Sequence, residues 1–227
     1  NERRVCKLDY RYWSGHYCYI INEAQCHERF TPNVAQSIIR DIWAEMEAAE
    51  VAIWLQQLKA RRLGVSTETQ MAVLHRFQFY ENTRAVVASA TPERSWTLVG
   101  MMKYAYAHEP WWLKPDATKI TGGFPAEFGD LHSTLTVAAG NQFTGVGRGD
   151  TPTVIHLSEL AEWQDAADLI DAALMHAVLD HPLIFGVMES SASSMGDWWH
   201  DTWEQNKAAF ARGRSRVRPV FLPWYVG

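Results

Sequence analysis

Four short apolar runs, each followed by a stretch of helical spacing, constrain this chain more than any other feature. The runs are "VAIWLQQLKA", "RAVVASAT", "PTVIHLSE" and "LIFGVMESSAS". Helical spacing follows them in "STETQMAVLHRFQFY", through Met71, Leu74 and Phe77, and in "SWTLVGMMKYAYA". It returns in the acidic-faced "DAADLIDAALMHAVLD" and in "GDWWHDTWEQNKAAFARG", where Trp199 and Trp203 stand one helical turn apart. Strands alternating with helices predict an α/β domain with a mostly parallel central sheet flanked by helices. In such a sheet, ligands are expected at the carboxyl ends of the strands. "GDLHSTLTVAAG", with β-branched residues between turn signals, and "RVRPVFLPW" complete the pattern.

Upstream, "TPNVAQSIIRDIWAEMEAAE" places Val34, Ile38, Ile39, Ile42 and Met46 at amphipathic helical spacing. Residues 1–30 are aromatic and irregular, and are expected to pack on a single domain spanning 1–227. At 227 residues and 47% hydrophobic the chain can bury a full core. A net charge of −5 argues against a protein that coats nucleic acid with its whole surface, while leaving room for a local basic patch.

Cys6, Cys18 and Cys26 lie close to His16 and His27, so a zinc site is conceivable. The spacings contain no C-x-x-C pair, and buried free thiols in a reducing compartment are the expectation. No apolar run approaches the length of a membrane span, so a soluble, intracellular protein is expected. The chain begins at Asn1 without a methionine and stops just after a strand pattern, which suggests a piece of something longer.

Between the first strand and its helix lies "KARRLGVST". A phosphate-binding loop reads G-x-x-x-x-G-K-[ST]: backbone amides surround the phosphates, the lysine reaches the outer ones and the hydroxyl meets magnesium. Gly64 and Ser66 fit that frame, but Val65 stands at the lysine position and Lys59 at the first glycine. Either the cation has moved to the other end of the loop or this is a capped helix, with Thr67 and Gln70 forming a capping box. Lys59, Arg61 and Arg62 favour the phosphate reading, because they add positive charge where a helix dipole already attracts an anion.

Three further elements face the same edge. "TVIHLSE" ends in Glu159, suited to orienting or deprotonating a water, and Ser158, a neutral hydroxyl where an aspartate usually holds the magnesium shell. His156 in that strand reads as a satisfied core residue. "MESSAS" brings Glu189, Ser190 and Ser191 to a strand end, placed to sense a γ-phosphate or its water. Arg148, held between glycines in "GVGRGDT", suits a charge-stabilising arginine finger.

Together these elements resemble the ATPase domain of the large terminase subunit of tailed bacteriophages, over nearly the whole chain. In that family the loop is often written with a shifted lysine, as in "KARRLGVST", and the catalytic strand often ends in Ser-Glu, as in "HLSELAEW". The resemblance implies a P-loop NTPase of the ASCE type using ATP and Mg2+. Carried over by position, the loop from Lys59 through Ala60, Arg61, Arg62, Leu63, Gly64 and Val65 to Ser66 and Thr67 binds nucleotide. Lys59 meets the outer phosphates, Arg61 or Arg62 the γ-phosphate region, and Ser66 the metal. Ser158 and Glu159 complete the metal site, and Glu159 also activates water.

The resemblance further makes "FTPNVAQ" an adenine-side motif, with Phe30 and Gln36 as the matching residues. "ESSA" becomes a coupling motif, and Arg148 the arginine offered to a neighbouring subunit. Implied partners are double-stranded DNA, a portal protein, a small terminase subunit and further copies in a ring, although an isolated domain could be monomeric. The implied setting is the host cytoplasm. The nuclease domain that large terminases also carry has no counterpart up to "FLPWYVG".

Two other readings share these residues. One is another nucleic-acid translocase or helicase, which should carry a second motor domain. The other is a module that binds DNA or capsid protein and keeps a vestigial nucleotide site. Arg212, Arg214, Arg216 and Arg218 could touch DNA phosphates or simply decorate an edge strand. Trp198, Trp199 and Trp203 could form a partner surface, although packing on the sheet is the expected use of such spacing.

Overall fold

The computed structural model describes residues 1–140, 151–164, 166, 170 and 181–226. Arg148 and most of the acidic-faced helix fall outside these residues.

An eight-stranded sheet runs through the molecule. Its strands in chain order are β3 (Ile53–Lys59), β4 (Arg84–Ser89), β5 (Ala117–Thr121), β6 (Phe124–Phe128), β7 (Ser133–Ala139), β8 (Val154–Ser158), β9 (Phe185–Ser190) and β10 (Arg218–Leu222). In space the order is β10-β3-β9-β8-β4-β7-β6-β5. From β10 to β7 every pairing is parallel, and β6 and β5 add an antiparallel extension. The crossovers carry the expected helices α4 (Val65–Phe79), α5 (Pro92–His108) and α6 (Trp198–Ala211). β9 is inserted between β3 and β8, so the end of "MESS" sits between the loop strand and the "HLSE" strand.

Successive residues of a strand point to opposite faces, and the two cores follow that alternation. Leu55, Val87 and Val187 pack on one face with Met71, Leu74 and Phe77 of α4. Trp54, Val86, Ile155 and Met188 pack on the other with Trp163 and Trp199. Trp199 and Trp203 are therefore buried against the sheet, as their spacing predicts. Gly186 makes room for this packing, since a Cβ there would lie 2.4 Å from the Trp54 ring.

Residues 1–30 are not irregular. They form α1 (Glu2–Leu8), α2 (Tyr10–Tyr17) and an antiparallel hairpin of β1 (Tyr19–Ile21) and β2 (His27–Arg29). Helices of seven and eight residues are too short to announce themselves by periodicity. Local and tertiary bonds hold them: the Asp9 carboxylate caps α2 at the Tyr12 amide, and Glu2 accepts from the Tyr12 and Tyr17 hydroxyls. Cys6, Trp13, Cys18 and Phe30 then sink into the core. Cys6 and Cys18 are buried free thiols, as expected, whereas Cys26 is exposed on the hairpin.

Helix α3 (Val34–Ala48) forms where expected, but its buried face is rotated. Val34 is 62% exposed, and the inward residues are Ala35, Gln36, Ile39, Arg40, Trp43 and Met46. Gln36 and Arg40 turn inward because each finds a polar partner on the segment that begins α4, a gain that apolar spacing does not register.

Candidate active site

Strand β3 ends at Lys59, the chain turns through 60–63, and Gly64, at φ +67°, is the N-cap of α4. The first intrahelical bond runs from the Glu68 amide to the Gly64 carbonyl at 3.0 Å. The amides of Val65, Ser66 and Thr67 thus belong to the turn that has no intrahelical acceptor, the position from which helices bind anions. The capping-box alternative fails on this geometry: the helix starts before Thr67, which lies within its first turn with its hydroxyl on Met101 Sδ at 3.6 Å.

Val65 is 1% exposed and packs in the core, so no lysine could stand there without burying its amine. Lys59 stands at the other end of the loop, its amine on the buried Glu189. Arg61 and Arg62 are exposed beside it, Arg62 at φ +63°. Leu63 anchors the loop in the core, and Ala60 donates its amide to the Leu222 carbonyl of β10 at 2.9 Å.

Helix α3 latches the far half of the loop. Asn33 Nδ2 donates to the Leu63 carbonyl at 3.1 Å and Gln36 Nε2 to the Gly64 carbonyl at 2.8 Å. Gln36 Oε1 accepts the Asn33 amide, so both ends of this side chain are occupied by protein. Phe30 is 1% exposed beneath the Arg40 guanidinium, and in this conformation it offers no surface to a base. Of the two residues expected on the adenine side, Gln36 therefore supports the loop and Phe30 lies in the core against Arg40. Arg40 in turn bonds Glu68 Oε1 at 2.7 Å, which also accepts from the Tyr10 hydroxyl at 2.5 Å, tying the N-terminal helices to the same scaffold.

The centre of the site is Glu189, expected from its strand end only as a γ-phosphate sensor. Glu189, near the end of β9 and wholly buried, receives Ser66 Oγ at 2.5 Å and Ser158 Oγ at 2.9 Å on its Oε1. His156 Nε2 lies 3.1 Å from the same oxygen, and Gln70 Nε2 meets the other ring nitrogen at 2.5 Å. Lys59 Nζ sits 3.9 Å from Oε2. Burial alone pushes the Glu189 carboxyl up. The Lys59 charge and the His156 and Ser66 contacts outweigh that penalty and hold it down at about 2. The parallel register aligns Ser158 with Glu189, which is why hydroxyl and carboxylate meet across strands.

Glu159 follows Ser158 in the left-handed region, at φ +59°, and turns its carboxylate outward onto Arg94 at 2.7 Å. Arg94, in the first turn of α5, also bonds Glu162. The structure thus joins Lys59, Ser66 and Ser158 through Glu189 and places Glu159 next to them, engaged with Arg94. Ser190 Oγ accepts the Ala161 amide at 3.2 Å and so braces the turn after Glu159. Ser191 lines an open groove with Lys59, Ala60, Arg61 and Trp224. A cavity of about 460 Å3 opens at the opposite ends of the strands, away from these groups. Among the described residues no three His, Cys, Asp or Glu side chains cluster as a metal cage.

Arg94 is the residue that the sequence pattern does not single out, whereas Glu189 is expected at this edge as a γ-phosphate sensor and stands instead at the centre of the site. For that role of Glu189 the available signal is an acid inside an otherwise apolar strand. For Arg94 it was a cation in a helix first turn, where the dipole alone would favour an acid.

A loop-to-helix anion position thus follows β3, and the next two strands across the parallel sheet, β9 and β8, carry polar tips, the arrangement of a nucleotide-binding type of α/β fold. Comparison with solved structures finds the same fold in other proteins. It superposes on the HK97 bacteriophage large terminase with a TM-score of 0.65 at 15% identity, over 95% of this chain and 43% of that one. It also superposes on a DEAD box protein from the hyperthermophile Methanococcus jannaschii, with a TM-score of 0.50 at 12% identity, over 85% of this chain and 49% of that one. The chain therefore spans less than half the length of either. No protein-family profile matches the sequence, and no curated protein matches it. The resemblance drawn from the loop and the strand tips is thus met at the level of fold.

Proposed function

We propose that this chain is the ATPase domain of a DNA-packaging motor of the large-terminase kind, hydrolysing ATP to translocate double-stranded DNA. The observation that carries the reading is the convergence of Lys59, Ser66 and Ser158 on one buried carboxylate, beneath a helix N-terminus, in a fold shared with a phage large terminase. The loop amides and Lys59 bind the phosphates, and Arg61 and Arg62 draw the polyanion in. Glu159 orients the attacking water once Arg94 releases it or shares it with the phosphate. Arg148 is the candidate arginine for a neighbouring copy.

The donor set suits magnesium: a serine hydroxyl, Ser158 beside it, and a carboxylate oxygen, Glu189 Oε2, that is buried with no hydrogen-bond partner among the described residues. When bound, the ion neutralises charge on the phosphates and screens the attack. Double-stranded DNA, a portal, a small subunit and a ring of copies belong to the same proposal, as does work in the host cytoplasm. Among the described residues no helix is long and apolar enough to cross a membrane.

Single-turnover hydrolysis tests the reading. Glu159→Gln is expected to slow the chemical step by about 100-fold or more while leaving nucleotide affinity within a few-fold. Loss of affinity with an unchanged rate contradicts the assignment. The likeness to a DEAD box protein favours a second reading, a helicase-type motor. Stimulation by RNA or single strands, and none by duplex DNA, selects it.

A further inference from the structure

Resting on the nucleotide-motor reading, we infer that Glu189, on the inserted strand β9, is the carboxylate of the metal site, filling the role that Ser158 at the tip of β8 cannot fill. The usual strand-tip aspartate does two things: it accepts the proton of the loop serine hydroxyl and it presents an anionic oxygen to the cation's shell. Ser158 can accept but carries no charge. Glu189 does the first already, since Ser66 Oγ donates to its Oε1 at 2.5 Å. A serine that gives its proton to a carboxylate keeps its lone pairs free for a cation.

Glu189 has the second oxygen in place as well. Among the described residues Oε2 is buried with no hydrogen-bond partner, and Lys59 Nζ lies 3.9 Å from it. A buried, hydrogen-bonding carboxylate oxygen left unbonded is costly, and a hard cation is the partner its chemistry suits. Ser158 and His156 also hold Oε1, at 2.9 and 3.1 Å, and so restrain the carboxylate's orientation. The strand register makes the exchange possible: Ser158 and Glu189 are paired neighbours, so the carboxylate has moved one strand sideways, toward the loop, without leaving the site.

The test titrates Mn2+ by electron paramagnetic resonance into protein saturated with a nonhydrolysable ATP analogue. Binding of that analogue in EDTA is measured alongside. Glu189→Gln keeps an acceptor for Ser66 and Ser158 but removes the charge. It is expected to weaken Mn2+ by about tenfold or more while metal-free nucleotide affinity stays within about threefold of the parent. Mn2+ affinity within about twofold of the parent overturns the inference and leaves the motor reading intact.

If the parent protein binds no nucleotide with or without metal, the motor reading fails and this inference falls with it. Should Glu189→Gln not fold, the double variant Glu189→Gln/Ser158→Asp is compared with the parent. Mn2+ binding restored by a carboxylate one strand away supports the assignment, and a folded double variant that holds no Mn2+ overturns it.

Discussion

Glu189 and Glu109 are both shut away from water, yet their carboxyls are shifted in opposite directions. Glu109 accepts Trp13 Nε1 and Gln78 Nε2, each at 2.8 Å on one oxygen, and the positive charge of Lys114 counts least among the influences on it. Burial wins there and pushes its carboxyl up to about 7. Glu189 has Lys59, His156 and two serine hydroxyls, and is held at about 2. Burial alone therefore does not decide the charge of an acid; at Glu189 the cation and hydrogen-bond donors outweigh it, and at Glu109 the donors do not. Glu109 pins α2 and α4 together as a hydrogen-bonded acid. Glu189 keeps an anion in the dark, at the place where the fold brings a phosphate-binding loop.

Removing the cation should turn the second carboxylate into the first. Lys59→Met leaves Glu189 charged and unpaired, at a cost of about 3 kcal/mol near neutral pH, measured by denaturant unfolding. The loss should shrink as the pH falls and Glu189 takes up a proton, and Glu189→Gln in the same chain should recover most of it. Equal loss at all pH values would break the comparison.

Glu109→Gln probes the other side. With its folded value raised to about 7, Glu109 binds a proton more tightly in the folded than in the unfolded chain. Its contribution is therefore fully present below the ordinary carboxylate range and is lost as pH rises toward 7. The amide should stabilise the protein by up to about 3 kcal/mol at pH ~8 and by almost nothing at pH ~4. Glu189 runs the opposite way, since its depressed value makes its contribution complete above the ordinary range and lost as pH falls toward 2.

Much of this frame was legible in the sequence. The alternating runs fix the sheet, and "GVST" after an apolar strand fixes the loop, because both are local patterns. The role of Glu189 was not legible, because it depends on β9 pairing with β8 in a register that places Ser158 beside it. Arg94 was missed for the same reason, being 65 residues from the Glu159 carboxylate it holds. The face of α3 was misjudged because Gln36 and Arg40 are buried by hydrogen bonds rather than by apolarity.

Smaller effects sharpen the account. Gly64→Ala forces a side chain into the left-handed region, with its Cβ 2.5 Å from Gln36 Nε2. A loss of about 1–2 kcal/mol is expected, together with weakened phosphate binding, read by calorimetric titration. Arg94→Ala removes only half-exposed ion pairs. Stability should stay within about 0.5 kcal/mol of the parent, while the single-turnover rate of hydrolysis changes as Glu159 loses its partner.

The central claim, that Lys59 serves the loop from its far end, is tested most directly by thermal unfolding with and without magnesium and a nonhydrolysable ATP analogue. Parent and Lys59→Met are each compared with their own ligand-free state. A ligand at about 100 times its dissociation constant should stabilise the parent by roughly 2.7 kcal/mol and leave Lys59→Met unmoved. Equal stabilisation of both proteins, or of neither, would contradict the account.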